Sequence, residues 1–261
     1  MICNKIFSII RIELKNTLYY RADAFMNFFS SLLYLFVSVM IWRSLYSENI
    51  LMQKTMITYL ILVSVASIFV NDNLQSVFAY KIRSGSISAD FLLPISFKKY
   101  MLCVSIGKGV GHFFLSTIPT VIVALLLWGI VKPIDLQGGC LYIIAQIFGF
   151  CLALEMNFLL AQVMLYTKNR DVTAFAFWTL TAIFGGRYMP YWLYPRVLLV
   201  ITKCLPFHLF YSVPISIYLG KLNPMETYLH IMYQIFWFIL LIWFNKLIYI
   251  KTSLTVTIQG G

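Results

Sequence analysis

The sequence predicts an all-α membrane protein with six transmembrane helices, and two observations lead to that prediction. Apolar residues make up 61% of the 261 residues and charged residues only 11%, whereas soluble domains carry roughly 45–50% and about 25%. The apolar residues are also gathered into stretches close to the roughly 20 residues that a helix needs to cross a bilayer. No segment is long and polar enough to form a separate soluble domain, so a single domain over residues 1–261 is expected.

The first twenty residues predict a helix that lies along the membrane surface instead of crossing it. Within residues 2–20, Asn4, Ser8, Arg11 and Lys15 recur at helical spacing, and Ile6, Ile9, Ile10, Leu14 and Leu18 lie between them. Such an amphipathic helix buries its apolar side in the inner interface and keeps its polar side in water. The alternative is an ordinary leader into the first span. The charged residues do not fit a cleavable signal peptide.

Six apolar stretches then follow along the chain, and each is a candidate membrane span. Their predicted bounds are residues 24–42, 51–70, 110–131, 140–165, 172–186 and 228–250. The fifth stretch is short and runs directly into a segment rich in proline. An even number of spans puts both termini on the same side of the membrane.

Basic residues predict which side that is. Thirteen of the 20 Lys and Arg residues fall on the side of the termini and seven on the other side. Because cytoplasmic loops carry the excess of Lys and Arg, both termini are expected in the cytoplasm. The net charge of +11 is therefore attributed to this bias and to lipid headgroups, and no nucleic-acid partner is expected. The seven residues on the outer side are Arg43, Lys54, Lys132, Arg187, Arg196, Lys203 and Lys221.

The longest cytoplasmic connection, residues 72–100, carries apolar side chains that a solvated loop does not need. A short helix fits over residues 88–93, with Ser88 as its N-cap and an aspartate in its first turn. Exposed apolar side chains require either the headgroup layer or a partner surface. The segment is therefore either a loop on the membrane or a docking element for a soluble protein. Its candidate docking residues are Gly85, Asp90, Phe91, Leu92, Leu93 and Pro94.

Four of the eight prolines interrupt the apolar run between Gly185 and Gly220. Each interior proline removes a helical hydrogen bond and clashes with the preceding turn, so this run is not one straight span. Irregular backbone at membrane depth is tolerated only where protein or water satisfies its polar groups. Residues 187–214 are therefore expected to fold back against the other helices at the outer face and to form a gate or a vestibule. The candidate gate residues are Pro190, Pro195, Arg196, Lys203 and Pro206.

Glu155 is the acidic residue placed well inside a predicted span. A charge near the bilayer centre costs about 2.5–3.5 kcal/mol on insertion scales, so such a residue is a functional candidate. With Asn157 nearby, it forms a polar patch on a translocation path or at a seam between two subunits. The alternative is a protonated or hydrogen-bonded residue that serves helix packing.

Several kinds of chemistry have no motif in this sequence. It contains no P-loop, no metalloprotease HExxH and no GxSxG, so neither a catalytic site nor a bound nucleotide, cofactor or metal is expected. The three histidines are scattered along the chain and are interpreted as packing residues. The five cysteines show no metal-binding spacing, although Cys140 and Cys204 are placed where a disulfide on the outer face is conceivable.

Four features in this order resemble the permease subunits of type-2 ATP-binding-cassette exporters, in particular the compact bacterial six-span subfamily. The first is the amphipathic leader that ends at Tyr20–Arg21, and the second is the segment from Gly85 to Asp90-Phe91-Leu92-Leu93-Pro94. The third is the outer run with its four prolines and Leu205-Pro206-Phe207. The fourth is the C-terminal Gln259-Gly260-Gly261. The resemblance covers nearly the whole length.

The resemblance implies a function that composition alone does not indicate. Such a permease forms one half of a transmembrane dimer with an identical or related second half. A cytoplasmic ATPase dimer in separate chains binds ATP and magnesium. Residues 85–94 would form the coupling helix, residues 2–20 the interfacial helix, and residues 187–214 the outer re-entrant helices between spans five and six. The implied location is the bacterial cytoplasmic membrane, and the implied direction of transport is export.

Two other classes of function remain as alternatives. An ion-coupled secondary transporter needs inverted repeats and several intramembrane charges, and the sequence shows no repeat and one deep acid. An intramembrane lipid-modifying enzyme needs clustered nucleophiles, metal ligands or phosphate-binding charges that face a cavity.

Overall fold

Ten α-helices follow one another in the part of the chain that the computed structural model describes, which is residues 2–67, 70, 73–84, 86, 95–167 and 170–255. Two short 3₁₀ turns, Tyr191–Leu193 and Phe207–Leu209, lie between the last helices. The helices are α1 (Ile2–Tyr19), α2 (Arg21–Leu45), α3 (Ile50–Ala66), α4 (Asn73–Arg83), α5 (Phe97–Trp128), α6 (Leu136–Thr167), α7 (Arg170–Phe184), α8 (Arg196–Cys204), α9 (Ser212–Tyr218) and α10 (Pro224–Thr255).

Four of these helices, α2, α5, α6 and α10, are long and apolar enough to cross a membrane. The other two apolar helices, α3 and α7, have 17 and 15 residues, which corresponds to about 26 and 22 Å. Both fall short of the roughly 30 Å of a bilayer's hydrocarbon core. The all-helical class and the multi-pass character are therefore confirmed. Each of the six predicted stretches overlaps an apolar helix in the described part of the chain, and four of those helices reach full spanning length.

The predicted third span, residues 110–131, differs most from the structure, because α5 begins at Phe97. Hydropathy placed the start of this span after the cluster of Lys98, Lys99 and Lys108. Lysine is nevertheless a good helix former, so charge does not end the helix. The N-terminal half of α5 is consequently a charged extension of an apolar span.

A turn of π-helix interrupts α5 at Phe113–Thr117. Pro119 follows in the next turn, and it has no N–H to donate to the carbonyl four residues earlier. The Ser116 hydroxyl donates to the His112 carbonyl oxygen at 2.7 Å, so this backbone carbonyl group of the wider turn has a hydrogen-bond partner. Such π-turns are frequent at functional sites.

Helix α1 packs along the charged half of α5 at an unusually close distance. A Cβ atom built on Gly107 would lie 2.8 Å from Glu13 Cβ and 2.9 Å from the Ile10 carbonyl oxygen. A Cβ atom on Gly111 would lie 2.7 Å from Thr17 Cβ. The glycines of α5 thus provide a groove for α1. Large apolar side chains of α1 that remain exposed are Phe7, Ile12 and Leu18.

Helices α6 and α10 pack along each other and form the centre of the bundle. The chain from residue 206 to residue 217, which includes α9, is buried throughout against them. Gly149 of α6 allows this close approach, because a Cβ atom there would lie 3.0 Å from the Leu209 carbonyl oxygen. Residues 206–217 are therefore part of the core of the molecule, whereas Pro195 to Val197, earlier in the same proline-rich segment, are exposed.

Candidate functional site

A cavity of about 650 Å³ lies among helices α2, α3, α5 and α7 and the residues Arg187 and Tyr188, which follow α7. Hydroxyl and aromatic groups predominate in its wall, and no aspartate or glutamate of the described residues lines it. The lining residues are Asn27, Ser30, Ser31, Tyr34, Val63, Ser64, Ser67, Val70, His112, Ser116, Thr117, Thr120, Ala174, Phe175, Phe177, Trp178, Thr181, Arg187, Tyr188 and Tyr211.

Serine and threonine hydroxyls of three helices line this cavity without disrupting those helices. The hydroxyls of Ser64, Ser116, Thr120 and Thr181 each donate to a carbonyl oxygen three or four residues earlier, at 2.6 to 2.8 Å. A hydroxyl that donates in this way still carries acceptor lone pairs. The wall therefore offers polar contacts inside a bundle of otherwise apolar helices.

The guanidinium of Arg187 lies at this cavity between two aromatic rings. Its central carbon lies 5.8 Å from the ring centroid of Tyr34 and 5.9 Å from that of Trp178. Both distances are within the range of cation–π attraction. No carboxylate of the described residues lies within ion-pairing distance of this guanidinium. Arg187 therefore provides the cavity with a positive charge that no acidic side chain in the described part of the chain neutralises.

Two hydrogen bonds place the backbone around Arg187 inside the bundle. The Tyr34 hydroxyl donates to the Arg187 carbonyl oxygen at 3.3 Å. Tyr34 lies eleven residues before the end of α2 at Leu45, or about 16 Å along the helix axis. The buried Tyr59 hydroxyl donates to the Gly186 carbonyl oxygen at 2.5 Å and lies 2.7 Å from Ser212 Oγ. The turn at residues 185–187 thus lies inside the bundle, some distance from the C-terminal end of α2 and the N-terminal end of α3.

Gly186 is required for this turn. Its φ of +81° is in the left-handed region that side chains other than glycine rarely adopt. A Cβ atom there would also collide with Ser212 Oγ and would lie 2.8 Å from the Tyr59 hydroxyl. The glycine therefore determines where Arg187 enters the cavity.

A second hollow of about 640 Å³ runs along the outside of α2 and joins the first. Ser30, Tyr34 and Tyr188 line both of them. The remaining wall of this groove is almost entirely apolar. Its other lining residues are Phe29, Leu33, Val37, Ser38 and Ile41.

Glu155 forms an ion pair in the interior of the protein. Lys98 Nζ donates to Glu155 Oε2 at 2.7 Å, and Asn245 Nδ2 donates to the same oxygen at 2.6 Å. Asn245 also donates to the Glu155 carbonyl oxygen at 2.9 Å. Glu155 is 6% exposed, so these contacts replace water around its carboxylate. The acid thus joins α5, α6 and α10.

A second polar contact lies close to this ion pair. Gln75 Nε2 of α4 donates to Asn157 Oδ1 of α6 at 3.0 Å, and both side chains are buried. Gln162 Nε2 donates to Asn245 Oδ1 at 2.8 Å. In the sequence, helices α4 and α5 precede and follow segment 85–94. Each of these two flanking helices is therefore joined to α6 by a buried polar contact.

Two of the three histidines, His208 of the Phe207–Leu209 turn and His230 of α10, lie close together, although the sequence suggested that they are scattered. The rings of His208 and His230 are 6.1 Å apart, and His208 Nδ1 lies 2.8 Å from the Leu205 carbonyl oxygen. Burial, with His230 and Lys203 nearby, lowers the pKa of His208 to about 4. His208 is therefore neutral near pH 7.

The structure places the predicted site residues in three groups. Glu155 and Asn157 are both buried. Of the predicted gate residues, Pro190 and Pro206 are buried, whereas Pro195, Arg196 and Lys203 are exposed. The predicted docking residues Gly85, Asp90, Phe91, Leu92, Leu93 and Pro94 lie outside the described residues, as do Gln259, Gly260 and Gly261. Cys140 and Cys204 are both free and exposed, so the conceivable disulfide is not formed.

Sequence reasoning missed the hydroxyl-lined cavity, the position of Arg187 within it and the pairing of Lys98 with Glu155. The sequence contained a signal for the cavity, because serines and threonines recur in four apolar helices, where lipid contact does not require hydroxyl groups. The pairing had no such signal, since the two residues are 57 positions apart.

Apolar helices of spanning length and a polar cavity between them define a multi-pass membrane protein of the transporter class. The model of the ABC-2 family transporter protein matches residues 32–260 of this chain. The chain therefore belongs to that family, whose members are the permease, or membrane, subunits of ATP-binding-cassette transporters. Among curated proteins, none matches the chain.

Proposed function

We propose that this permease exports its substrate with energy from ATP, which a separate cytoplasmic ATPase dimer hydrolyses. The observation that carries the proposal, beyond the family itself, is the pair of polar contacts on either side of residues 85–94. Gln75 binds Asn157, and Lys98 binds Glu155. A force applied to that segment would therefore reach α6 through both of its flanking helices.

In this proposal, residues 85–94 form the coupling helix that docks on the ATPase. ATP and magnesium bind to the partner chains, and closure of the ATPase dimer moves α4 and α5 together. The contacts of Glu155 with Lys98 and Asn245 pass this motion to α6 and α10. Hydrogen bonds between polar side chains connect neighbouring helices in a membrane, where apolar contacts between helices are less specific.

The proposal also assigns an orientation and an outer gate. Both termini face the cytoplasm of a bacterial cell, and a second permease half, identical or related, completes the pathway. Residues 187–214 re-enter the membrane and close the exit of the cavity. In support, Tyr34 and Tyr59 bind the backbone of residues 186 and 187 below the helix ends. Pro190, Pro195, Arg196, Lys203 and Pro206 would belong to this gate.

The test combines association with energy coupling. The chain is co-expressed with its candidate ATPase, and residues Asp90–Pro94 are replaced by a glycine-serine sequence. We expect the unaltered chain to co-purify with the ATPase and to raise its rate of ATP hydrolysis, and the altered chain to lose both effects. The same replacement at Leu219–Asn223, in the connection before α10, serves as the control. Normal association and stimulation by the altered segment would contradict the coupling assignment.

A further inference from the structure

The packing of the helices does not by itself explain why the charged side chain of Arg187 lies at the cavity. A charged side chain at membrane depth costs several kcal/mol unless a partner or water compensates it. The aromatic rings of Tyr34 and Trp178 compensate in part. No carboxylate of the described residues pairs with it, and none lines the cavity. The uncompensated charge therefore favours an anionic group in the cavity.

The shape of the adjoining groove indicates the rest of the ligand. The groove along α2 is apolar, has about the same volume as the cavity and meets it at Ser30, Tyr34 and Tyr188. A molecule with a charged head and one hydrocarbon chain matches this arrangement. Its head would contact Arg187 and the hydroxyl-lined wall, and its chain would lie against Leu33 and Val37. A wholly polar solute would leave the groove empty.

We propose that the cavity and the groove together form a binding site for an anionic amphiphile, and that this amphiphile is the cargo. The charged group is a phosphate, sulfate or carboxylate held by the guanidinium of Arg187. Arginine suits such groups because its planar fork of donors matches their oxygens. The hydroxyl groups of the wall bind other polar atoms of the head. This assignment rests on the proposed transport function, which it makes more specific.

The test measures binding to the full-length chain in uncharged detergent, without ATP or the ATPase. The probe is dansyl-undecanoate, a fluorescent carboxylate with a long chain. We expect saturable binding to the unaltered chain and a loss of affinity of about tenfold in Arg187→Gln. Arg43→Gln is the matched control, because Arg43 is an exposed arginine at the end of α2. It should bind as the unaltered chain does.

Two further comparisons separate a lost contact from a misfolded protein. Arg187→Lys keeps the charge without the fork, so its affinity should lie between those of the unaltered chain and Arg187→Gln. A dansyl-undecyl-trimethylammonium probe should show no saturable binding to any variant. Equal binding by the unaltered chain and Arg187→Gln, or equal binding of the two probes, would overturn the proposal.

The groove has a test of its own. The unaltered chain should bind dansyl-undecanoate more tightly than dansyl-glycine, which has almost no chain. Val37→Trp should reduce that difference, whereas Ile239→Trp, at an exposed position of α10, should preserve it. If Val37→Trp has no effect, the chain of the amphiphile does not lie in the groove, which overturns this part of the proposal.

A bilayer lipid has the same chemistry as the proposed cargo, and nanodiscs distinguish the two. We expect dansyl-undecanoate to bind saturably in nanodiscs of phosphatidylcholine and also in nanodiscs of phosphatidylglycerol. Loss of binding only in phosphatidylglycerol would mean that a bilayer headgroup fills the site, which overturns the assignment to cargo. Because none of these measurements uses ATP, failure of ATPase coupling and failure of ligand binding remain separate outcomes.

Discussion

At the scale of single residues, the interior of this protein contains charges that hydrogen-bonded partners compensate to different degrees. The carboxylate of Glu155 has Lys98 and Asn245 at hydrogen-bonding distance. The guanidinium of Arg187 has no carboxylate partner among the described residues and lies against aromatic rings in a hydroxyl-lined cavity. A buried ion pair adds little net stability over an apolar pair, but removal of one partner leaves an uncompensated charge. The paired carboxylate of Glu155 suits a contact that connects helices, and the guanidinium of Arg187, unpaired with any described carboxylate, suits a ligand-binding site.

The ion pair leads to a prediction about stability. Lys98→Met removes the cation from the buried carboxylate of Glu155 and should lower the free energy of unfolding by about 2 kcal/mol. Lys99→Met is the control, since the side chain of Lys99 is exposed and its loss should have almost no effect. Thermal unfolding in detergent measures both. Adding Glu155→Gln to Lys98→Met should recover part of the loss, and equal melting of all variants would contradict a stabilising pair.

His208 leads to a prediction about pH. Its pKa is about 4 in the folded protein and about 6.5 in an unfolded chain. The unfolded state therefore binds a proton first as the pH falls. The contribution of neutral His208 to stability is complete above about pH 6.5 and is lost progressively as the pH falls toward 4. His208→Asn should show a smaller decrease of melting temperature between pH 7 and pH 5. An unchanged decrease would exclude this histidine as its cause.

Gly186 leads to a prediction about the turn that carries Arg187. Gly186→Ala should destabilise the protein, because alanine is strained at a φ of +81° and its Cβ atom would collide with Ser212. We expect a loss of about 2 kcal/mol, measured by thermal unfolding. The neighbouring pair of Tyr59 and Ser212 explains why relaxation of the turn is limited. A variant with unchanged stability would mean that the turn relaxes without loss.

At the scale of elements, close packing of α1 on α5 connects the N-terminal helix to the bundle. The glycines of α5 let the backbone of α1 approach where a side chain would keep the two helices apart. The same helix α5 contains the π-turn that borders the cavity. Helix α5 thus joins the N-terminal helix, the ion pair and the cavity wall in one rigid element.

A substitution in this contact separates packing from helix propensity. Gly107→Ala improves the intrinsic helix propensity by up to about 1 kcal/mol, but its Cβ atom would meet Glu13 Cβ at 2.8 Å and backbone at 2.9 Å. We expect net destabilisation in thermal unfolding. Gly139→Ala in α6 is the control, since the nearest atom to its Cβ is 3.8 Å away. Stabilisation by both substitutions would show that α1 does not constrain α5.

At the scale of the whole molecule, the orientation of the bundle in the membrane has two alternatives, with the termini on one side or on the other. The distribution of basic residues predicts that the exposed Cys140, near the start of α6, and the exposed Cys204, at the end of α8, both lie on the outer side. Buried Cys103 lies in the lysine-rich half of α5. These thiols can therefore report orientation.

Single-cysteine variants of the chain test the orientation in intact cells. A membrane-impermeant maleimide should label Cys140 and Cys204 from the outside, because both are free and exposed. Cys103 should stay unlabelled until the membrane is made permeable and the protein is unfolded. The reverse pattern, with Cys140 protected in intact cells and labelled in inverted vesicles, would contradict cytoplasmic termini.

The sequence by itself determined the helical class, the apolar stretches and the irregular outer segment, because hydropathy and proline act locally along the chain. It did not predict where α5 begins, because lysine residues lower the hydropathy of a segment but do not end a helix. Only the tertiary structure decided that Lys98 meets Glu155, that Tyr59 holds Gly186 from 127 positions away, and that hydroxyl groups of separate helices surround Arg187. The reason is that these contacts depend on how distant segments pack together, which no local pattern specifies.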